Sequence, residues 1–128
     1  METYSTRRVI RQATASEFGD GLTGTTTSAG AVGTLNDTAR AEVADFWRGA
    51  DVLALNGLNA ALSRRVTANA SGVSLTTAAM PNLWDNAVDY ELAFAFTFTQ
   101  YNNAVDYAVR RTRGNHWIPW FWDGLTIV

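Results

Sequence analysis

The chain has 128 residues, 47% of them hydrophobic and 17% charged, which suits one folded domain with a core and excludes a largely disordered chain. It contains no cysteine, which excludes disulfides, thiol catalysis, iron–sulfur clusters and cysteine-ligated zinc. All ten basic residues are arginine, so lysine chemistry is excluded as well, and a net charge of −2 gives no overall electrostatic footprint for nucleic acid.

The first twenty residues carry Glu2, Arg7, Arg8, Arg11 and Glu17 without an apolar run, so no signal peptide is expected. The longest nearly uncharged apolar stretch, LAFAFTF at 92–98, is too short to span a bilayer, and no membrane partner is expected. Residues 5–18 read as a helix capped by Ser5, with Val9, Ile10, Ala13 and Phe18 as a short apolar stripe. Arg7, Arg8 and Arg11 gather on its other side and are expected to meet acidic protein surface or, non-specifically, DNA phosphates in a channel. Gly19, Gly21 and Gly24 end the helix.

From 22 to 92 short β-favouring segments recur every 10–15 residues: LTGTTTSAG, AVGTLND, ADVLALN, LSRRVTA, GVSLTTA and VDYELAF. The dipeptides NG at 56–57 and SG at 71–72 suit turns, and ARAEVADFW at 39–47 has room for one or two helical turns. The predicted class is mainly β with flanking helices: a small antiparallel β-barrel or sandwich, an N-terminal helix and one C-terminal helix. Three regions follow: a helical arm at 1–19, the β-module at 20–95, and a helix with a Trp-rich docking segment at 96–128.

Strict alternation places Tyr90, Leu92, Phe94, Phe96 and Phe98 on one strand face, opposite Glu91, Ala93, Ala95, Thr97 and Thr99. Five large apolar groups on one face need a cover, either this domain's core or another subunit. A helix is predicted over 102–113, capped by Asn102 or Asn103, closed by Arg110, Arg111 and Arg113 and stopped by Gly114. The pentapeptide NAVDY occurs at 86–90 and 103–107 with unrelated flanks, and reads as a coincidence. Trp117, Trp120, Phe121 and Trp122 crowd around Pro119. Three readings stay open for them: a core plug, an anchor at a subunit interface, or a sugar-stacking platform. LTIV at 125–128 reads as the start of a strand, from which a longer parent chain or docking onto a neighbour is expected.

Candidates for chemistry are few. His116 is the sole histidine, and no GxSxG, HExxH or EF-hand spacing accompanies it. Asp85, Asp89 and Glu91 hold the residue types of a glycosidase pair but read as solvated strand-end acids. The Gly-rich runs match neither a dinucleotide nor a phosphate loop. No catalytic residue, metal or cofactor is therefore expected, and the chain reads as a non-enzyme.

The runs GLTGTTTSAGAVGTLNDT, DFWRGADVLALNG, SRRVTANASGVSLTTAAMP and NAVDYEL resemble a small β-module of virion structural proteins of tailed bacteriophages. The matching positions are Thr34, Leu35, Asp37, Thr38, Trp47, Gly49, Arg64, Arg65, Val66, Leu75, Thr76, Tyr90, Glu91 and Leu92. The following helix, the W-x-P segment and DGLTI look like what succeeds the module in such proteins, and the resemblance covers about 20–128. The chain departs from the pattern in carrying NGLNAALS at 56–63. The resemblance implies a non-enzymatic building block of the virion without saying which part, and the helix–barrel–helix plan favours a ring-forming head–tail connector, neck or tail protein. A capsid decoration protein is the nearest alternative, and a carbohydrate-binding module of a fibre comes from another class. Its partners would be portal, tail or capsid proteins and copies of itself. Subunit contacts are expected at Trp117, Trp120, Phe121, Trp122, Phe96, Phe98, Arg110 and Arg111.

Overall fold

A computed structural model describes residues 7–70 and 74–116. Helix α1 (Arg7–Glu17) leads into strands β1 (Leu22–Thr25), β2 (Ser28–Ala31), β3 (Thr34–Asn36), β4 (Asp51–Ala54), β5 (Ser63–Ala70), β6 (Ser74–Thr77) and β7 (Asp89–Ala93), and helix α2 (Phe98–His116) follows. The strands fall on the six β-favouring segments of the sequence, LTGTTTSAG dividing into β1 and the start of β2, which itself carries no β-branched residue. Residues 44–49 form turns in place of a helix.

Gly19 ends α1 at φ 65°, a left-handed conformation that glycine adopts without a Cβ penalty. Its N–H donates to the Ser16 carbonyl at 3.0 Å and the Asp20 N–H donates to the Ala15 carbonyl at 2.9 Å. These two bonds satisfy otherwise orphaned helix carbonyls in a Schellman arrangement.

The strands form one antiparallel sheet in the order β1-β7-β4-β5-β6-β3-β2. Strand β5, the longest, belongs to both halves. Residues 63–65 pair with β4, and residues 66–70 pair with β6 across a register shift between Val66 and Ala68. That shift bends the sheet over its own inner face. The edge strands β1 and β2 are consecutive in the chain but share no ladder, so the sheet is open and sandwich-like.

The enclosed face holds Leu35, Val52, Val66, Leu75, Trp84, Tyr90 and Leu92, each at most 1% exposed. Burying each of these side chains contributes roughly 1.5–3 kcal/mol. The opposite face of β4 and β7 carries Leu53 and Ala93, covered by Ala15 of α1 and by Phe98 and Tyr101 of α2. Both helices are thus packed on the sheet.

Two expectations are corrected. The strand ends at Ala93, and α2 begins at Phe98. Tyr90 and Leu92 do face the core, but Phe94 and Phe96 lie in the bend after β7, and Phe98 belongs to α2. The start of α2 is a capping box. The Thr97 hydroxyl accepts from the Gln100 N–H at 3.2 Å, and the Gln100 side-chain oxygen accepts from the Thr97 N–H at 2.8 Å. Gly114 does not stop α2, which runs on to His116. The SG turn site at 71–72 lies outside the described residues, whereas Gly57 of the NG site does turn the chain, at φ 73°.

Candidate functional site

Arg11 leaves α1 towards the sheet and is 5% exposed. Its Nε and Nη2 donate to Oε1 of Glu91 on β7 at 3.0 and 2.7 Å, and its Nη1 donates to Oδ1 of Asn102 on α2 at 3.1 Å. Gln12 donates to the other Glu91 oxygen. The guanidinium also lies 5.6 Å from the centre of the Phe98 ring. Both charges are therefore neutralised inside the subunit, and Arg11 presents nothing to a partner or to DNA. Arg7 pairs with Asp106 of α2 at 2.5 Å on the surface. Arg8 is exposed, with no hydrogen bond or ion pair among the described residues.

A second network sits at the opposite face of β7. The Tyr90 hydroxyl donates to Asp37 Oδ2 at 2.5 Å, and the Ala39 N–H donates to Asp37 Oδ1 at 2.9 Å. Arg40 approaches the same carboxylate at 3.6 Å and Glu42 at 3.8 Å, and the Trp47 indole N–H donates to Glu42. Burial first, and the bond to Asp37 second, push the Tyr90 phenol far above its usual range, so it stays protonated as a fixed donor. Asp37, Trp47, Tyr90 and Leu92 of the resemblance pattern are accordingly buried parts of the fold, as are Leu35, Val66 and Leu75.

The bend after β7 is fixed by Asp20, just past the end of α1. Its carboxylate accepts from the Phe94 N–H at 2.6 Å, the Ala95 N–H at 3.0 Å and the Tyr101 hydroxyl at 2.8 Å. Burial opposes the charge on Asp20, but these hydrogen bonds outweigh it and hold the carboxyl below its ordinary value. Burial and the bond to Asp20 push the Tyr101 phenol up to about 12.

This joint presents aromatic rings to solvent on both sides of Ala95. Phe94 stacks on Trp47 with centroids 4.7 Å apart, and Phe46 meets both rings edge-on. Phe96 sits between Phe18 and Tyr101 in edge contacts of 5.7 and 5.6 Å. Phe18 is 63% exposed, Phe46 51%, Phe94 45% and Phe96 43%. Beside Phe96 lies a groove of about 330 Å³ lined by Thr14, Phe18, Phe96, Gln100, Tyr101 and Ala104.

Of the expected contact residues, Phe96 is on this surface. Phe98 is 3% exposed beneath the helices and is corrected to a core residue. Arg110 and Arg111 are exposed on α2, where Arg111 donates to the Tyr107 hydroxyl at 3.0 Å. Trp117, Trp120, Phe121 and Trp122 lie outside the described residues. Sequence reasoning missed Phe18, Phe46 and Phe94 as surface groups and Asp20 as their organiser. Only the TxxQ capping box at 97–100 marks in the sequence that the strand has ended.

The three acids considered for glycosidase chemistry have other partners. Glu91 is held by Arg11, Asp89 accepts from Thr25 at 2.7 Å and from Asn56, and Asp85 accepts from the Asn86 N–H. Among the described residues, no group of three or more His, Cys, Asp and Glu side chains is placed to hold a metal ion. Among the same residues, no helix is long and apolar enough to cross a membrane. Comparison of the chain with known protein families, curated proteins and solved structures finds no match.

Proposed function

We propose that this chain is a structural subunit that works by gripping other proteins and copies of itself. On the resemblance of its β-module, it is a ring-forming head–tail connector, neck or tail protein of a tailed-phage virion. The observation that carries the reading is the aromatic surface. Four phenylalanines stand about half in water, locked in place by a hydrogen-bonded carboxylate and two ring clusters. Exposed rings fixed in two clusters suit interaction surfaces. Aromatic and arginine side chains are also the types that dominate interface energetics. Repetition of modest contacts around a closed ring makes assembly effectively irreversible.

The test is the mass and symmetry of the purified full-length chain, read by light scattering and electron microscopy, alone and with portal, tail and capsid proteins. A symmetric oligomer, or a stoichiometric complex with a portal or tail protein, is expected. Binding to capsids alone would move the chain to the decoration class. A monomer that ignores all three and binds glycans would reject the assembly reading in favour of a fibre module.

A further inference from the structure

Resting on the reading of this chain as a subunit that grips other proteins, we propose that the free edge of β1 takes up an extended segment of a partner protein. That segment carries a carboxylate side chain two residues before an apolar one.

The edge is bare. The Thr26 N–H donates to the Val88 carbonyl at 2.9 Å, and the Leu55 N–H donates to the Asp89 carbonyl at 2.8 Å. Bonded positions alternate in an antiparallel ladder, so Leu22 and Gly24 turn their backbone N–H and C=O groups to β7, while Thr23 and Thr25 turn theirs away from it. Among the described residues, no other backbone group bonds to these outward atoms. The strand, LTGT, has none of the charges, prolines or bulges that blunt an edge. At the other end of the sheet the chain covers its own edge. The Gly30 N–H on β2 donates to the Trp84 carbonyl at 2.7 Å, and the Trp84 N–H donates to the Ala31 carbonyl at 3.2 Å.

A groove runs beside the bare edge. Thr23 and Thr25 stand opposite Glu91 and Asp89, which puts their side chains on the α1 side of the sheet. Arg8, Gln12 and Ala15 follow one another along α1 at helical spacing. Two cavities meet at Gln12 and Thr23, between this row and β1. One, of about 480 Å³, has Arg8 and Thr25 on its walls. The other, of about 270 Å³, has Ala15 and Leu22. The charged groups of the second cavity are already engaged, Arg11 with Glu91 and Asp20 with the bend after β7.

These features select the occupant. Outward N–H and C=O groups two residues apart accept an added strand. Antiparallel to β1, its residues bonded to Thr25 and then Thr23 are two apart and point their side chains to one face, under α1. The first stands beside Arg8, which is exposed and has no ion pair among the described residues, so a carboxylate fits there. Asp89 on the same wall does not fill that role, because it accepts from Thr25 and Asn56. The second side chain enters the Ala15 and Leu22 cavity, which fits an apolar group. A second copy's β1 would place threonines at both positions, and its β2 is already covered. The occupant is therefore a segment of a different protein.

The probe is the peptide acetyl-STVETLTS-amide, titrated into the full chain and followed by amide hydrogen exchange. In the free chain the Thr23 and Thr25 amides are expected to exchange fast and those of Leu22 and Gly24 slowly. The peptide is expected to slow the first pair. Glutamine in place of the peptide's glutamate, or Arg8→Gln, is expected to weaken binding about tenfold, and the two together no further. Thr23→Pro removes an outward N–H, keeps the ladder to β7, and is expected to abolish binding. A peptide N-methylated at its leucine breaks the same pairing without touching the fold and is expected to fail as well. A peptide that does not bind, or binds without slowing Thr23 and Thr25, would overturn the proposal. Slow exchange of both amides in the free chain would overturn it too. Unchanged by dilution, it puts the chain's own terminus on the edge; growing with concentration, it puts a second copy there. Each of these failures leaves the assembly reading standing, because light scattering with virion partners tests that reading separately.

Discussion

The Glu91 carboxylate is 3% exposed and depends on Arg11 for two of its hydrogen bonds. Replacing Arg11 by Met leaves that charge buried and mostly unpaired, a change that costs about 3–5 kcal/mol. The pair itself is not expected to add that much stability, since desolvating two ions offsets most of their attraction. Arg11→Met together with Glu91→Leu is therefore expected to recover most of the loss. Urea unfolding of the two single variants and the double variant, read as a thermodynamic cycle, checks this. Equal and additive losses would show that the two side chains do not act as a unit. The pair could not be read from the sequence because its members are 80 positions apart, on a helix and a strand. Arg11 looked like a surface cation because its own segment gives no sign of what lies opposite.

At the scale of elements, the joint between α1, β7 and α2 turns on Asp20. Its folded pKa lies below the ordinary value of 3.8, so the carboxylate contributes stability above that value. That contribution is lost as pH falls through the lower folded pKa. Replacing Asp20 by Asn weakens three hydrogen bonds and is expected to cost on the order of 2 kcal/mol at neutral pH. The penalty should shrink on acidification, because the wild-type protein loses what the variant already lacks. Unfolding free energies measured from about pH 7 to about pH 3 check the sign. A penalty that stays constant would show that Asp20 acts in its neutral form. Although the run LTGTTTSAG proved to hold most of two strands, β1 and β2, the strand regions were legible as six segments, since turn residues and β-favouring runs are local signals. The bend at 94–97 was not, because Phe94, Phe96 and Phe98 continue the alternation and the group that breaks the strand comes from residue 20. The capping residues Thr97 and Gln100 were in plain view, but a strand pattern running through them masked the helix start. The missed surface aromatics have the same origin: a period of two assigns a face, and only the end of the strand releases the ring to solvent.

For the molecule as a whole, the question is whether the tryptophan segment belongs to the core or to an interface. The two described clusters draw their residues from Ala15 to Tyr101, and they cover both faces of β4 and β7. The joints that hold the helices down, at Arg11, Asp20 and Thr97, also lie within that span. A chain truncated after His116 is therefore expected to keep its circular dichroism and its melting midpoint while losing self-association. Magnitudes make the alternative easy to recognise. Loss of a buried Trp side chain costs about 3–5 kcal/mol, and a domain of this size is stable by about 5–15 kcal/mol in total. Removing three tryptophans and a phenylalanine from a core would thus consume the whole stability and leave an unfolded chain. A truncated protein that melts like the full chain and runs as a monomer places those rings between subunits. One that does not fold puts them back inside the domain, and with them falls the reading of this end of the chain as a grip.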